Sequence, residues 1–181
     1  MTRRDDPKPN FHWPVVASRV IAASAEEVWR VISTPGYLEP CHPYCAANPV
    51  GEWVGEGARD EVHYLNGWVF ERRFCRWIEG VGYDLEIGRP AGRSSFASWR
   101  ISPTGAQECG LRIAVYPWML QNLPVVLRWF PYHFRVRPMM EKYLSSVTRG
   151  VEWYVTRGEP VPRNQFGEHP WFSDLRSVEK D

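Results

Sequence analysis

The stretch RPMMEKYLSSVTRGVEWYVTR, residues 137–157, constrains the fold of this chain more than any other. Met140, Tyr143, Leu144, Val147, Val151 and Tyr154 recur at i, i+3, i+4, i+7, i+11 and i+14, one apolar stripe of a 3.6-residue helix. Pro138 suits the first turn, where a missing N–H costs nothing. Gly158 and Pro160 suit the stop. Such a stripe has to be buried, and the segments before it read mostly as strands. A helix arriving after strands lays its stripe on their sheet. Gly150 interrupts the helix at a cost of about 1 kcal/mol against Ala, which predicts a second element approaching closely there.

The strands are legible from alternation and turn chemistry. Residues 13–23, WPVVASRVIAA, form a β-branched first strand. Ser24 with Glu27 makes a capping box that opens a helix carrying Val28, Trp29, Val31 and Ile32. Pro35-Gly36 stops it, and 37–40 is a short helix or turn. Residues 41–49, CHPYCAANP, read as a loop. Strands are then predicted at 50–54, 59–65, 68–79, 81–87, 94–101 and 108–116. Asn66-Gly67 is a hairpin signal, and Ser102-Pro103-Thr104-Gly105 reads as a turn. Connections this short require antiparallel pairing. The fold class is α+β: a sheet of about seven antiparallel strands, two short helices after the first strand, and a long C-terminal helix across the sheet.

Strand 68–79 is ambiguous. Phe70, Arg72, Phe74, Arg76 and Ile78 share one face, and Val69, Glu71, Arg73, Cys75 and Trp77 the other. Neither face is clean, so the inner one is left open. An inward arginine is costly unless paired and would point to an anionic ligand group such as a carboxylate; Arg72 and Arg76 are placed instead on the solvent face.

The domain organisation is predicted as a disordered N-terminus at 1–12, a ligand-binding domain at 13–158 and an extended tail at 159–181, which Phe166, Trp171 and Phe172 are expected to pin to the surface. Within the domain, 117–136 is an apolar, proline-broken insertion holding a short helix at 125–130. The insertion reads as a lid, as packing on the domain's own surface, or as a peripheral-membrane or homodimer contact.

The 22 basic and 21 acidic residues leave a net charge of +1, which argues against a nucleic-acid partner. Ten tryptophans fit a filled core or an aromatic-lined pocket, and simple packing is the preferred reading for any one of them. The N-terminus MTRRDDPKPN lacks the apolar core of a signal peptide, and no run approaches the ~18 apolar residues of a membrane span. A cytoplasmic protein with reduced thiols is the expectation.

Cys41, His42 and Cys45 in CHPYC are not read as a metal site, because adjacent ligands rarely point at one ion and nothing completes four. A Cys41–Cys45 disulfide would require an oxidised loop of suitable geometry. Neither G-x-S-x-G nor H-E-x-x-H occurs. No metal and no cofactor is expected.

Three segments carry a family resemblance. IAASAEEVWRVISTPGYLEPCHP (21–43), FERRFCRWIEGVGYDLEI (70–87) and the long C-terminal helix resemble the START/Bet v 1-like superfamily, also called SRPBCC or polyketide cyclase/dehydrase-like. The resemblance spans about 13–158. YLEPC (37–41) is also similar to a loop of coenzyme-Q-binding members. The resemblance implies a helix-grip fold, in which a curved sheet wraps the C-terminal helix around a cavity. It implies binding or transport of a hydrophobic small molecule: a lipid, polyketide, quinone or isoprenoid. An aromatase/cyclase-like enzyme is the alternative, and an interaction module using 117–136 a third.

On this frame the cavity is expected between Met140, Tyr143, Leu144, Val147 and Val151 of the helix and Tyr83, Leu85, Leu111, Ile113 and Val115 of the sheet. Phe70, Phe74, Trp99 and the loop residue Tyr44 complete the expected ligand-binding set. His42, His63, Glu71 and Tyr83 are the candidate acids or bases should there be catalysis.

Overall fold

A computed structural model describes residues 13–120 and 123–174. The predicted disorder of 1–12 lies outside these residues, as does the end of the tail.

Seven strands form one antiparallel sheet: β1 (Val15–Ile21), β2 (Cys45–Ala47), β3 (Arg59–Tyr64), β4 (Val69–Ile78), β5 (Gly82–Gly88), β6 (Ser94–Gly105) and β7 (Glu108–Tyr116). Their order is β1-β7-β6-β5-β4-β3-β2. Hairpins join β3 through β7 in sequence. β1 closes the far side by pairing along its whole length with β7, from Val15↔Val115 to Ile21↔Cys109.

Helix α1 (Ala25–Ile32) starts as its capping box dictates: Glu27 N–H donates to Ser24 Oγ at 3.2 Å, and Ser24 N–H to Glu27 Oε2 at 2.8 Å. It buries Val28, Trp29 and Ile32. A single helical turn, α2 (Leu38–Cys41), follows.

The sheet differs from the sequence reading at three places. Residues 45–47 pair with β3 and are strand rather than loop. The strand predicted at 50–54 is reduced to one bridge, Val50↔Asp60. β6 runs on through Pro103 to Gly105, so the turn falls at Ala106-Gln107. Turn-forming composition at 102–105 was overridden by pairing with β7, because Pro can occupy a ladder where register is irregular. The register does shift between Pro103 and Gly105.

The long helix reaches back further than its stripe. Helix α3 (Val125–Pro131) continues without a break through a π-helical turn, Tyr132–Val136, into α4 (Arg137–Arg157). Pro131 cannot donate to a carbonyl one turn earlier, and the chain absorbs the missing bond by widening the next turn. Gly158, at φ +70°, caps α4 in the left-handed conformation.

Helix α4 packs on β1 and β7 and on α1 and α2. Gly150 is the point of closest approach: a Cβ there would overlap the carbonyl oxygen of Cys41 at the end of α2. The mid-helix glycine therefore answers to backbone crowding.

Residues 159–174 do more than lie on the surface. Val161 N–H donates to Pro40 O, Asn164 N–H to Pro43 O, and Asn66 N–H to Phe172 O. His169 is fully buried, with Nε2 3.0 Å from Met139 O and Nδ1 accepting from Trp171 N–H at 3.2 Å. The tail is stitched into the loop between α2 and β2 and onto α4.

Candidate functional site: a cavity between sheet and helix

Helix and sheet do not close on each other everywhere. A cavity of about 610 Å³ separates α4 from strands β3–β7. Met140, Tyr143, Leu144 and Val147 of α4 form its roof. The sheet contributes Val62, Tyr64, Phe70, Leu85, Trp99, Ile113 and Val115 among others. Trp171 and Phe172 of the tail close one side, with the Phe172 ring centroid 4.4 Å from Tyr143 and 4.6 Å from Tyr64. Where the cavity meets solvent its lining is exposed: Trp68 on the β3–β4 turn, Arg89 and Arg93 on the β5–β6 turn, and Trp118 after β7.

The opposite end is plugged by rings. Trp29, Trp53, Trp77, Phe74 and Tyr83 pack at centroid distances of 5.0–6.4 Å. The tryptophan richness thus serves both a solid core and a cavity lining.

A bulge explains the ambiguity of β4. Phe74 faces Leu85 and Arg76 faces Asp84, so one residue is inserted at that point. Phe70, Arg72 and Phe74 are inward before it, and Trp77, opposite Tyr83, is inward after it. Period-2 reading across an inserted residue mixes the two faces. Arg76 is exposed, as expected.

Arg72 is not on the solvent face: it is 3 % exposed and borders the cavity. The rule against inward arginines is met by pairing rather than by exposure. Nε donates to Asp60 Oδ1 at 2.7 Å and Nη2 to Asp60 Oδ2 at 2.5 Å, a bidentate bridge. Nη1 donates to Tyr37 Oη at 2.8 Å, which in turn lies 2.5 Å from Tyr83 Oη. Asn48 holds the carboxylate from the other side, Nδ2 donating to Asp60 Oδ2 at 3.0 Å, and accepts from Leu38 N–H at 3.1 Å. Burial opposes the Arg72 charge, but Tyr37 and Asp60 outweigh it and hold the guanidinium above its ordinary range. Burial also pushes the Tyr37 hydroxyl up.

A second polar group sits under the roof. Tyr44 N–H donates to His42 Nδ1 at 3.1 Å, so the neutral imidazole carries its proton on Nε2. That N–H faces Tyr143 Oη at 2.9 Å, and Tyr143 Oη lies 2.9 Å from Tyr64 Oη. Burial, with Arg72 adding to it, pulls the His42 pKa from 6.5 to about 3. Burial raises both tyrosines. At neutral pH these groups are hydrogen-bond donors and acceptors, and none is poised to take a proton.

The sequence-derived candidates divide by position. Phe70, Leu85, Trp99, Ile113, Val115, Met140, Tyr143, Leu144, Val147 and His42 line the cavity. Tyr83, Phe74, Leu111 and Val151 are buried behind its wall. Tyr44 is also behind it, its hydroxyl 3.0 Å from Ser146 Oγ and from Gly167 O. His63 and Glu71 alternate onto the outer face of the sheet, where His63 Nε2 is 2.7 Å from Glu61 Oε2 and Glu71 is exposed. Neither can reach a ligand in the cavity. Among the described residues no group of three His, Cys, Asp or Glu side chains is arranged for a metal, and Cys41 and Cys45 are free, buried thiols.

Sequence reasoning missed Tyr64, Asp60, Asn48, Trp171 and Phe172. Tyr64 and Asp60 carried a signal, since both alternate with Val62 on the inner face of β3. The tail aromatics pointed only to a tail pinned on the surface; that Trp171 and Phe172 reach the cavity depends on where the chain returns.

No protein-family model and no curated protein matches the sequence. Solved structures match the fold. A START superfamily protein from Mycobacterium smegmatis superposes with TM-score 0.63 at 15 % identity, over 80 % of this chain and 97 % of that one. The chain has a START/Bet v 1-like, helix-grip fold. The same fold relates it to DynU16, a protein of the dynemicin biosynthetic locus (TM-score 0.60, 13 % identity, 81 % of this chain). This chain spans about half of DynU16, 48 % of its length. Norcoclaurine synthase from Thalictrum flavum, in complex with dopamine and hydroxybenzaldehyde, is similar too (TM-score 0.58, 13 % identity, 82 % and 89 % coverage). The cavity lies between the curved sheet and the long helix.

Proposed function

We propose that this protein binds and carries a hydrophobic small molecule of the lipid, polyketide, quinone or isoprenoid class in the cavity under α4. The carrying observation is the cavity itself: about 610 Å³, walled mainly by aliphatic and aromatic side chains, with a few buried polar groups. Pockets of roughly 300–1,000 Å³ with this lining suit drug-sized ligands. Binding is preferred over a cyclase-like reaction because His42 has Nδ1 occupied and its basicity suppressed.

Titration with 1-aminoanthracene, a neutral apolar fluorophore, tests the reading. The wild type is expected to bind it, and Ala97→Trp, which fills the floor opposite α4, to weaken binding about tenfold or more. Native mass spectrometry of gently purified protein is expected to show a co-purified small molecule. No probe binding and no such molecule would remove the proposal.

The helix α3 favours a second, compatible role. Val126, Leu127, Trp129, Phe130 and Phe134 are 52–86 % exposed. Arg128, Arg135 and Arg137 lie among them, and residues 117–140 contain no Asp or Glu. Apolar and aromatic side chains ringed by cations suit an anionic membrane surface, and this segment follows the cavity mouth at Trp118. No helix among the described residues is long and apolar enough to cross a membrane. Sedimentation with phosphatidylserine/phosphatidylcholine liposomes is expected to retain the wild type and release Val126→Glu/Phe130→Glu. If instead light scattering shows a wild-type dimer that the variant splits, α3 is a homodimer contact.

A further inference from the structure

We propose that the Tyr64–Tyr143 pair is the recognition point for a neutral acceptor oxygen, such as a ketone, quinone or lactone carbonyl, on the hydrophobic ligand. The inference rests on the cavity reading and makes it chemically specific.

It follows from counting hydrogens. The His42–Tyr143–Tyr64 chain has two contacts, at 2.9 Å each. It has three hydrogens: one on His42 Nε2 and one on each hydroxyl. His42 Nδ1 accepts from Tyr44 N–H, so Nε2 must donate, and that fixes Tyr143 Oη as acceptor in the first contact. Only one hydroxyl hydrogen can lie between the two tyrosine oxygens. The other has no protein acceptor among the described residues, and both rings border the cavity. A buried donor without an acceptor is costly, so the pair favours a ligand that brings one. The Tyr37–Tyr83 pair also leaves a hydrogen by this count, but neither ring borders the cavity, and Trp77 and Trp99 lie against Tyr83.

Charge narrows the class to neutral acceptors. The cation of the inner wall, Arg72, is already balanced by the bidentate Asp60 carboxylate. A carboxylate brought to the tyrosines would lose its hydration while Arg72 stays committed to Asp60, and the other arginines of the lining, Arg89 and Arg93, stand at the solvent mouth.

Three probes of one shape separate the alternatives: 2-acetylnaphthalene, 2-ethylnaphthalene and 2-naphthoate. The chain of donors predicts a distinctive variant pattern. In Tyr64→Phe, Tyr143 still accepts from His42 and turns its own hydrogen to the ligand. In Tyr143→Phe, the Tyr64 hydrogen is released for the same purpose. Each single variant should therefore keep the ketone-over-hydrocarbon preference; because His42 also lines the cavity and its Nε2–H loses its acceptor with Tyr143, the His42→Leu/Tyr64→Phe/Tyr143→Phe triple variant is the one that should lose about tenfold of it. Binding of 2-ethylnaphthalene should be unchanged throughout. The naphthoate should bind the wild type more weakly than the ketone. An unchanged preference in the triple variant, or naphthoate binding tighter than the ketone's that the triple variant loses, overturns the assignment while leaving the cavity reading intact. If no probe binds the wild type, the cavity reading fails and this assignment with it. Infrared spectra of 2-acetylnaphthalene bound to wild type give a check independent of variant folding. The carbonyl stretch is expected to shift red from its value in hydrocarbon solvent, and the absence of a shift overturns the proposal.

Discussion

Arg72→Met is expected to destabilise the protein by about 3–5 kcal/mol, measured as the loss of unfolding free energy in urea. The substitution preserves length and apolar stem but removes every donor to Asp60. The Asp60 side chain is 0 % exposed, so its charge is left buried with Asn48 as its remaining side-chain partner. Tyr37 loses its guanidinium donor as well. The cost belongs to the orphaned carboxylate more than to the lost bridge. Arg72→Met/Asp60→Leu is accordingly expected to recover most of the stability, because two apolar side chains of similar volume replace a pair whose desolvation cost offsets much of its attraction. Asn48 Nδ2 keeps its bond to Glu61 O in that background. If Arg72→Met alone unfolds with wild-type stability, the buried pair is not holding β3 to β4 as described.

The second large effect is acid sensitivity centred on His42. Burial lowers its folded-state pKa from 6.5 to about 3. Below 6.5 the unfolded chain takes up a proton that the folded chain refuses until about 3. Stability is therefore fully present above pH 6.5 and is lost as pH falls through that window, at about 1.4 kcal/mol per pH unit. From pH 6.5 to pH 5 the loss from this residue is about 2 kcal/mol. His169, also lowered by burial, adds with the same sign. Urea unfolding at pH 5, 6, 7 and 8 reads the slope. His42→Gln should be less stable at pH 7, having lost the imidazole's two bonds, yet show a slope shallower by about one proton. Equal slopes in wild type and variant would show that His42 titrates normally in the fold.

Helix α4 illustrates what was legible. Its stripe, its capping glycine and the demand of Gly150 for a close neighbour are local or one-element properties, and all are present in the structure. The capping box of α1 and the run of Leu111, Ile113 and Val115 on the buried face of β7 opposite exposed Arg112 are equally local. Such features depend on contacts three or four residues apart, or on a face repeating every second residue, so a single sequence displays them.

Strand β4 illustrates what was not. A bulge inserts one residue and exchanges the faces, and its position depends on how β5 pairs, not on the composition of 69–78. Arg72 was misplaced for the same kind of reason. Its partner Asp60 stands on the neighbouring strand, and pairing reverses the energetic sign of burying it.

The sequence by itself determined an antiparallel sheet followed by a long amphipathic helix, the resemblance to the START/Bet v 1-like superfamily, and nine of the apolar side chains that line the cavity. Only the tertiary structure decided which polar groups face that cavity. His42, Tyr64 and Tyr143 come from α2's end, β3 and α4, up to 101 residues apart, and Phe172 arrives from the tail. Hydrophobic faces are periodic and therefore written locally. Hydrogen-bond partners are singular, and only the folded chain brings them within 3 Å.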